Sequence, residues 1–520
     1  LSSTLFINSK IWQEDFTFKK SFGIKNGIIS FVSDENSPSH KNEFDKIIDL
    51  RGKLVLPSFI DGHVHLAYGS LMMKRIDCSD VKNIDELKRK VNEYSKKNPT
   101  AQWLVGGNLN IPHLKSQLNP AGNLLDDIYS SKPVFLNNYD YHSGICNSAA
   151  LKISGLHDDI ADYSEDEIIR INGKPTGEIK EKAKEFIFNF IPSPSLKNKT
   201  EAVSEMIKIL HSYGITGVSD ITLPENFEVY KALNENNQLK LKINSYIPFS
   251  SFHNFDSIQK ESGISKTRLE IKGFKAYYDG ALGSGTGLFK DNYKGGNYPG
   301  YKTEQALSGE IDNLAFDIDN AGKQIIIHAI GDKAVYEVLQ ICSKLNETNG
   351  RKDRRFRIEH AQHIDEADFW MFKELGVIAS AQPLHLKYDA NLVKEKLIEK
   401  VQKRTHNYKA LIDKGVVVNF GTDFPIVEIN PFHNIHMAVT REYNDGIFYP
   451  EYKIDLHNCI KCYTINNAFA SFDDKITGSI TAGKKANFII MNEDLFEIPK
   501  DEIKNASVYE TYFEGEEIKN

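Results

Sequence analysis

The chain has 520 residues, 40% of them hydrophobic and 26% charged, with a net charge of −7; this is the composition of a folded protein with a large core and room for more than one domain. The acidic balance excludes a general nucleic-acid binder, which needs a basic excess to neutralise phosphates. Five cysteines make no disulfide framework, no apolar run is long enough to span a bilayer, and the start Leu1-Ser2-Ser3-Thr4-Leu5-Phe6-Ile7 lacks the basic region of a signal peptide, so the expected setting is cytoplasmic, with no membrane partner.

Residues 4–7, 16–20, 29–32 and 46–50 read as short strands, with Lys25-Asn26-Gly27 as a turn. The chain resumes this style at 486–491 and 508–513, followed by a turn at Phe513-Glu514-Gly515-Glu516. The β-rich ends, 1–58 and 475–520, predict one small β-sandwich built from both. Between them strand-like runs alternate with helical segments, the pattern of a parallel sheet with helical crossovers. Candidate strands are 59–66, 133–138, 214–221, 241–247, 270–279, 324–330, 356–361, 377–382 and 416–422. A (β/α)8 barrel needs one fewer. The span 71–200 is too long for one crossover, so 133–138 is assigned to an inserted subdomain. The others predict a TIM-type α/β barrel over 59–474.

Asp61-Gly62-His63-Val64-His65 ends the first of these strands. Residues two apart on a strand share a face, so His63 and His65 can reach one metal ion. Four more ligand-type residues close their own strands: Lys275 on the fourth, His328 on the fifth, His360 on the sixth and Asp423 on the eighth. All fall at C-terminal strand ends, where barrel active sites lie. Nitrogen and oxygen ligands dispersed in this way suit a catalytic, zinc-type ion with an open position, not a closed structural site.

A protonated lysine cannot be a ligand, but burial and a metal's field depress its pKa. The neutral amine of Lys275 can then add carbon dioxide, giving a carbamate able to bridge two ions. The alternative is a lysine that binds substrate or pairs with Asp279. Lys272, three residues earlier, is expected to be exposed on the opposite face. Asp423 can take a proton from the attacking water and hand it to a leaving amine; the alternative is an N-cap for the segment after Pro425. His363 lies past its strand end and reads equally as a core or a substrate contact. The glycines between Gly280 and Gly287 allow close backbone approach to a ligand, but the run lacks the Lys-Ser/Thr of a phosphate loop. Cys459 and Cys462 form a lone C-x-x-C, read as packing or surface residues.

Taken in order, several segments resemble the amidohydrolase superfamily: Leu56 to His65, His142 to Leu151, Lys275 to Thr286, His328 to Asp332, Ile358 to Gln362, Gly421 to Pro425 and Gly478 to Phe488. Within it they look most like the amidohydrolase-3 or YtcJ-like group, which includes N-substituted formamide deformylases. The resemblance covers nearly the whole chain. It implies a distorted (β/α)8 barrel with a β-sandwich and an inserted lid-like subdomain. It also implies one or two divalent ions, zinc first among them, and hydrolysis of an amide-like C–N bond in a small molecule. On that basis His63, His65, His328 and His360 are metal ligands, Lys275 is the carboxylated bridge and Asp423 is the metal-linked general acid/base. Trp103 and His142 sit in insert motifs that look like pocket walls, and with Asp279 they are the candidate substrate contacts. Many relatives form dimers, so a homodimer is implied. The group often carries Arg and Ala where this chain has Gly285 and Gly287, so no side-chain contact is expected from position 285. Two other readings stay open: a related hydrolase of an ester, lactone or cyclic amide, and a non-enzymatic scaffold of the same fold. A scaffold would be expected to lose ligands, and this chain keeps the full set.

Overall fold

The computed structural model describes residues 3–36, 38, 41–115, 123–138, 143–156, 164, 167–262, 268–444 and 446–519. Eight parallel strands form one sheet in chain order: β1 (Phe59–Val64), β2 (Ile215–Ile221), β3 (Lys242–Pro248), β4 (Leu269–Tyr277), β5 (Gln324–Ala329), β6 (Arg357–His360), β7 (Ile378–Ala381) and β8 (Val418–Phe420). These are the expected barrel strands. Ile325, Ile326 and Ile327 of β5 are all buried, as strands covered on both faces must be. The helix Asp332–Asn349 that follows lays Val335, Val338, Leu339 and Cys342 into the core at helical spacing. Among the described residues no helix is long and apolar enough to cross a membrane.

The barrel closes between β8 and β1. Phe424 bridges to Val64, the Asp423 N–H donates to the His63 carbonyl at 2.7 Å and the His65 N–H to the Phe424 carbonyl at 2.8 Å. Asp61 reinforces the seam by accepting from the Thr422 hydroxyl at 2.7 Å and the Thr422 N–H at 2.9 Å. Gly421 is required here, because a Cβ at that position would lie 2.4 Å from the His63 nitrogen.

Both chain ends build the sandwich. One sheet orders Ile28–Ser33, Ser21–Lys25, Thr4–Ile7 and Lys46–Asp49; the other orders Glu516–Glu517, Val508–Phe513, Phe488–Met491, Leu54–Pro57, Lys10–Trp12 and Phe18–Lys19. Aromatic rings fill the space between them, with Phe6 stacked on Phe22 at 4.7 Å and edge-on to Phe488 at 5.3 Å. Only Ser58 separates Leu54–Pro57 from β1, so the strand carrying the paired histidines is fixed to the sandwich.

Tyr68–Ala202 is a second compact unit. Its own six-stranded sheet runs in the order Ile168–Ile171, Lys174–Lys180, Ser143–Cys146, Val134–Asn138, Leu104–Leu109 and Ile76–Asp77.

Lys272 corrects an expectation. It is not exposed: its Nζ lies 2.8 Å from Glu270 and 3.0 Å from Asp473, at the N-terminal end of the barrel. The β3–β4 register shifts between Ser245 and Tyr246. Such a bulge adds one residue and breaks the strict alternation, so residues 272 and 275 no longer face opposite ways.

Candidate metal centre

At the C-terminal end of the barrel two imidazoles point at one carboxylate. Nε2 of His63 lies 3.4 Å and Nε2 of His65 lies 3.2 Å from Oδ1 of Asp423. The His360 ring centre is 5.2 Å from that of His63 and 4.4 Å from that of His328. His63, His360 and Asp423 are buried, and each offers a ligand atom within 4.8 Å of the other two. Lys275 is buried, with its Nζ 4.8 Å above the Tyr277 ring. Among the described residues neither that Nζ nor Nδ1 of His360 has a hydrogen-bond partner.

The backbone is strained where ligands are presented. His360, Ala361 and Asp423 have φ of 71°, 43° and 60°, left-handed values that cost a non-glycine residue about 1 kcal/mol or more. A regular strand would send His360 to the same face as Ile358, into the helical layer. The positive φ takes it out of that alternation and lets it meet His63 and His328.

Behind the centre lies a buried ion pair. Glu359 accepts from Nδ1 of His63 at 2.5 Å and from Nε of Arg357 at 2.8 Å. Arg357 is fully buried and also donates to the Gly62 carbonyl at 2.6 Å and the Tyr246 hydroxyl at 3.2 Å. Burial opposes ionisation of Glu359, but Arg357 and His63 hold it down at about 2. The carboxylate fixes the proton of His63 on Nδ1, so Nε2 turns a lone pair toward Asp423.

Burial, helped by Lys275, pushes His63 down and His328 to about 3; burial and its neighbour His328 push His360 well below the ordinary range. Burial likewise drives Lys275 down to about 8. Asp423 moves the other way: burial opposes its charge, but His63 and the hydrogen bond from His65 hold it below the usual carboxylate range. The buried His63 ring is therefore held neutral, with its Nε2 3.4 Å from the ionised Asp423 carboxylate. Lone pairs at such separations repel unless a cation sits among them, so this donor set fits a divalent ion. His63, His65, His360 and Asp423 would hold it, with His328 and Lys275 alongside.

The candidate substrate contacts fall differently. Asp279 is buried and accepts the N–H groups of Leu288, Ile330 and Gly331 at 2.8, 2.9 and 2.9 Å. Burial raises it to about 7. Its lone pairs anchor the loops after β4 and β5. Trp103 is buried in the core of the second unit with Phe135 and Ile179, and lines a cavity of about 530 Å³ there. His142 lies outside the described residues. Cys459 and Cys462 are buried free thiols.

Sequence reasoning missed Arg357 and Glu359, and it missed His385. The last ends the 3-10 turn Pro383–His385 just after β7, with its Nε2 3.9 Å from Oδ2 of Asp423. One signal was present: histidines also close β5 and β6, and His385 stands three residues past the predicted strand 377–382.

Two further buried histidines give the fold a pH dependence. Burial pushes His363 down to about 3 and His406 to about 4, from an ordinary 6.5. Between the folded and unfolded values the unfolded chain binds more protons, so this contribution is complete above about pH 6.5 and is lost as pH falls toward about 4. The urea midpoint of chelator-treated protein should therefore drop between about pH 7 and about pH 5. An unchanged midpoint would mean that both rings already carry a proton in the fold.

The family model described as the amidohydrolase family matches residues 46–518. The chain belongs to the amidohydrolase family. This amidohydrolase is 30% identical over 539 residues to Protein LONG AFTER FAR-RED 3 of Arabidopsis thaliana, covering 100% of this chain and 92% of that protein. It is 26% identical to the N-substituted formamide deformylase of Arthrobacter pascens, covering 90% of this chain and 89% of that one. The crystal structure of an uncharacterized metal-dependent hydrolase from Pyrococcus horikoshii matches with a TM-score of 0.81 at 24% identity, covering 96% of this chain and 99% of that chain. That likeness shows the shared fold.

Proposed function

We propose that this amidohydrolase uses one or two divalent ions, zinc foremost, to hydrolyse an amide-like C–N bond of a small molecule. The observation that carries the reading is the convergence of His63 and His65 on the Asp423 carboxylate, with Nε2 atoms 3.4 and 3.2 Å from its Oδ1. The likeness to a formamide deformylase points to N-substituted formamides as the first substrates to try.

A divalent ion held there supplies Lewis acidity and makes water acidic enough to attack near neutral pH. That assistance matters because a carboxylate held as low as Asp423 is a weak base by itself. Water adds to the carbonyl carbon as Asp423 takes its proton. Asp423 then delivers that proton to the nitrogen as the C–N bond breaks, leaving an acid and an amine. His63, kept in one tautomer by Glu359, would help hold the ion and would not compete for the proton.

Lys275 completes the proposal. A buried amine with no hydrogen-bond partner among the described residues is poised to add carbon dioxide, releasing one proton and leaving a carbamate with two oxygens for bridging. Metal analysis of protein purified without chelator, with the mass of the Lys275 peptide read under non-acidic conditions, tests this. Two ions and a mass gain of one carbon dioxide are expected. One ion and an unmodified Lys275 would refute the bridge. Protein that holds no divalent ion and cleaves no formyl or acyl amide would refute the hydrolase reading.

A further inference from the structure

His385 has no assigned role, yet its position is specific. Asn434 accepts the Leu384 N–H at 2.6 Å and the His385 N–H reaches back to the Gln382 carbonyl at 3.1 Å, so the turn after β7 is held from two directions. The side chain is 11% exposed and the ring lies 6.0 Å from that of His360. Among the described residues, its Nε2 is buried without a hydrogen-bond partner. At 3.9 Å from Oδ2 of Asp423, that nitrogen is too far for a hydrogen bond. It also stands outside the trio of ligand atoms formed by His63, His360 and Asp423.

A buried imidazole nitrogen without a partner is costly, and an apolar residue would fill the space at no such penalty. Among the described residues nothing takes that place, which leaves it open to a bound molecule. Asp389, one helical turn further on in Leu386–Lys396, is fixed by the Gln362 amide at 2.6 Å. The ring is thus presented to the centre from a rigid turn, with a fixed carboxylate nearby.

We propose that His385 touches the substrate, with its Nε2–H donating a hydrogen bond to the carbonyl oxygen of the scissile bond. The bond strengthens as negative charge gathers on that oxygen, so it favours the transition state over the bound substrate. Asp423 handles the proton and His385 handles the oxygen from a neighbouring point on the rim. This role rests on the hydrolase reading above.

The test compares wild type with His385→Ala and His385→Gln, all loaded with zinc. Three quantities are measured: zinc content, the Kd for acetohydroxamate as a mimic of a polarised carbonyl, and kcat and KM on an N-substituted formamide. For His385→Ala we expect unchanged zinc content, a kcat lower by about 10²-fold or more with little change in KM, and acetohydroxamate binding weakened about tenfold, the loss of one hydrogen bond to a charged group. His385→Gln keeps an N–H donor and should recover part of both losses; it also guards against an alanine variant that fails to fold. Loss of zinc in both variants would make His385 a ligand and overturn the proposal. Unchanged acetohydroxamate affinity and kcat would make it a bystander and overturn it equally. Wild-type protein that cleaves no amide would count against the hydrolase reading alone. The hydroxamate comparison still decides His385 in that case, and zinc-loaded wild type that ignores acetohydroxamate would also overturn its role.

Discussion

Replacing Asp423 with asparagine should lower kcat by about 10²–10⁴-fold, the range lost when a positioned general acid/base is removed. Asparagine keeps the size and can keep a contact with His65, but its amide neither accepts the water's proton nor returns one to the departing nitrogen. The charge also matters, because burial opposes it and His63 and His65 sustain it. Zinc content must therefore be read beside turnover. A variant that keeps its zinc, its near-UV circular dichroism and its seam yet loses turnover would place the loss in proton transfer. A variant within about tenfold of wild type would remove Asp423 from the mechanism and leave it as a ligand.

The second large effect is expected from a residue that never meets the substrate. Arg357→Met removes the cation from a fully buried pair and leaves Glu359, at 0% exposure, without its main partner. Removing one member of such a pair costs about 3–5 kcal/mol. The arginine also ties β6 to the Gly62 carbonyl of β1 and to the Tyr246 hydroxyl of β3, so the damage spreads across the barrel. The urea midpoint should fall sharply, and zinc affinity should weaken by about 10–100-fold as His63 loses its fixed tautomer. Adding Glu359→Gln to Arg357→Met should restore part of the stability but not the zinc affinity, since the unpaired charge is gone while the orienting carboxylate is still missing. If Arg357→Met alone shifts stability by less than about 1 kcal/mol, the pair is not what holds this end of the barrel.

Much of this architecture can be read from residue patterns. Runs such as Ile325-Ile326-Ile327 declare strands buried on both faces, and the aromatic, turn-punctuated ends declare a sandwich. The ligand-type residues are legible because each one ends such a run. What escapes is information that a strand period cannot carry. His360 reaches the centre through a positive φ, which no alternation rule anticipates. Lys272 is misread because one bulged residue shifts the parity of β4. Asp279 also accepts three backbone N–H groups from two loops, a structural duty that residue spacing does not reveal. Arg357 and Glu359 announce themselves only once it is known that their side chains have nowhere to go but inward. His385 belongs to a turn and not to a strand, so a search for strand ends passes over it.

The seam between β8 and β1 bears on how the protein is made. Asp61 and Thr422 meet across 361 residues of chain, and Asp423 approaches His63 and His65 only through that closure. During synthesis the paired histidines emerge early and the carboxylate late, because the chain is made from its N-terminus. Until β8 docks, the edges of β1 and β7 lack their neighbour and are open to wrong pairing. A shortened chain ending before Gly421 would carry most of the donors and no assembled centre. Competence to hold a metal thus becomes a record that the barrel has been completed, and a fragment cannot counterfeit it.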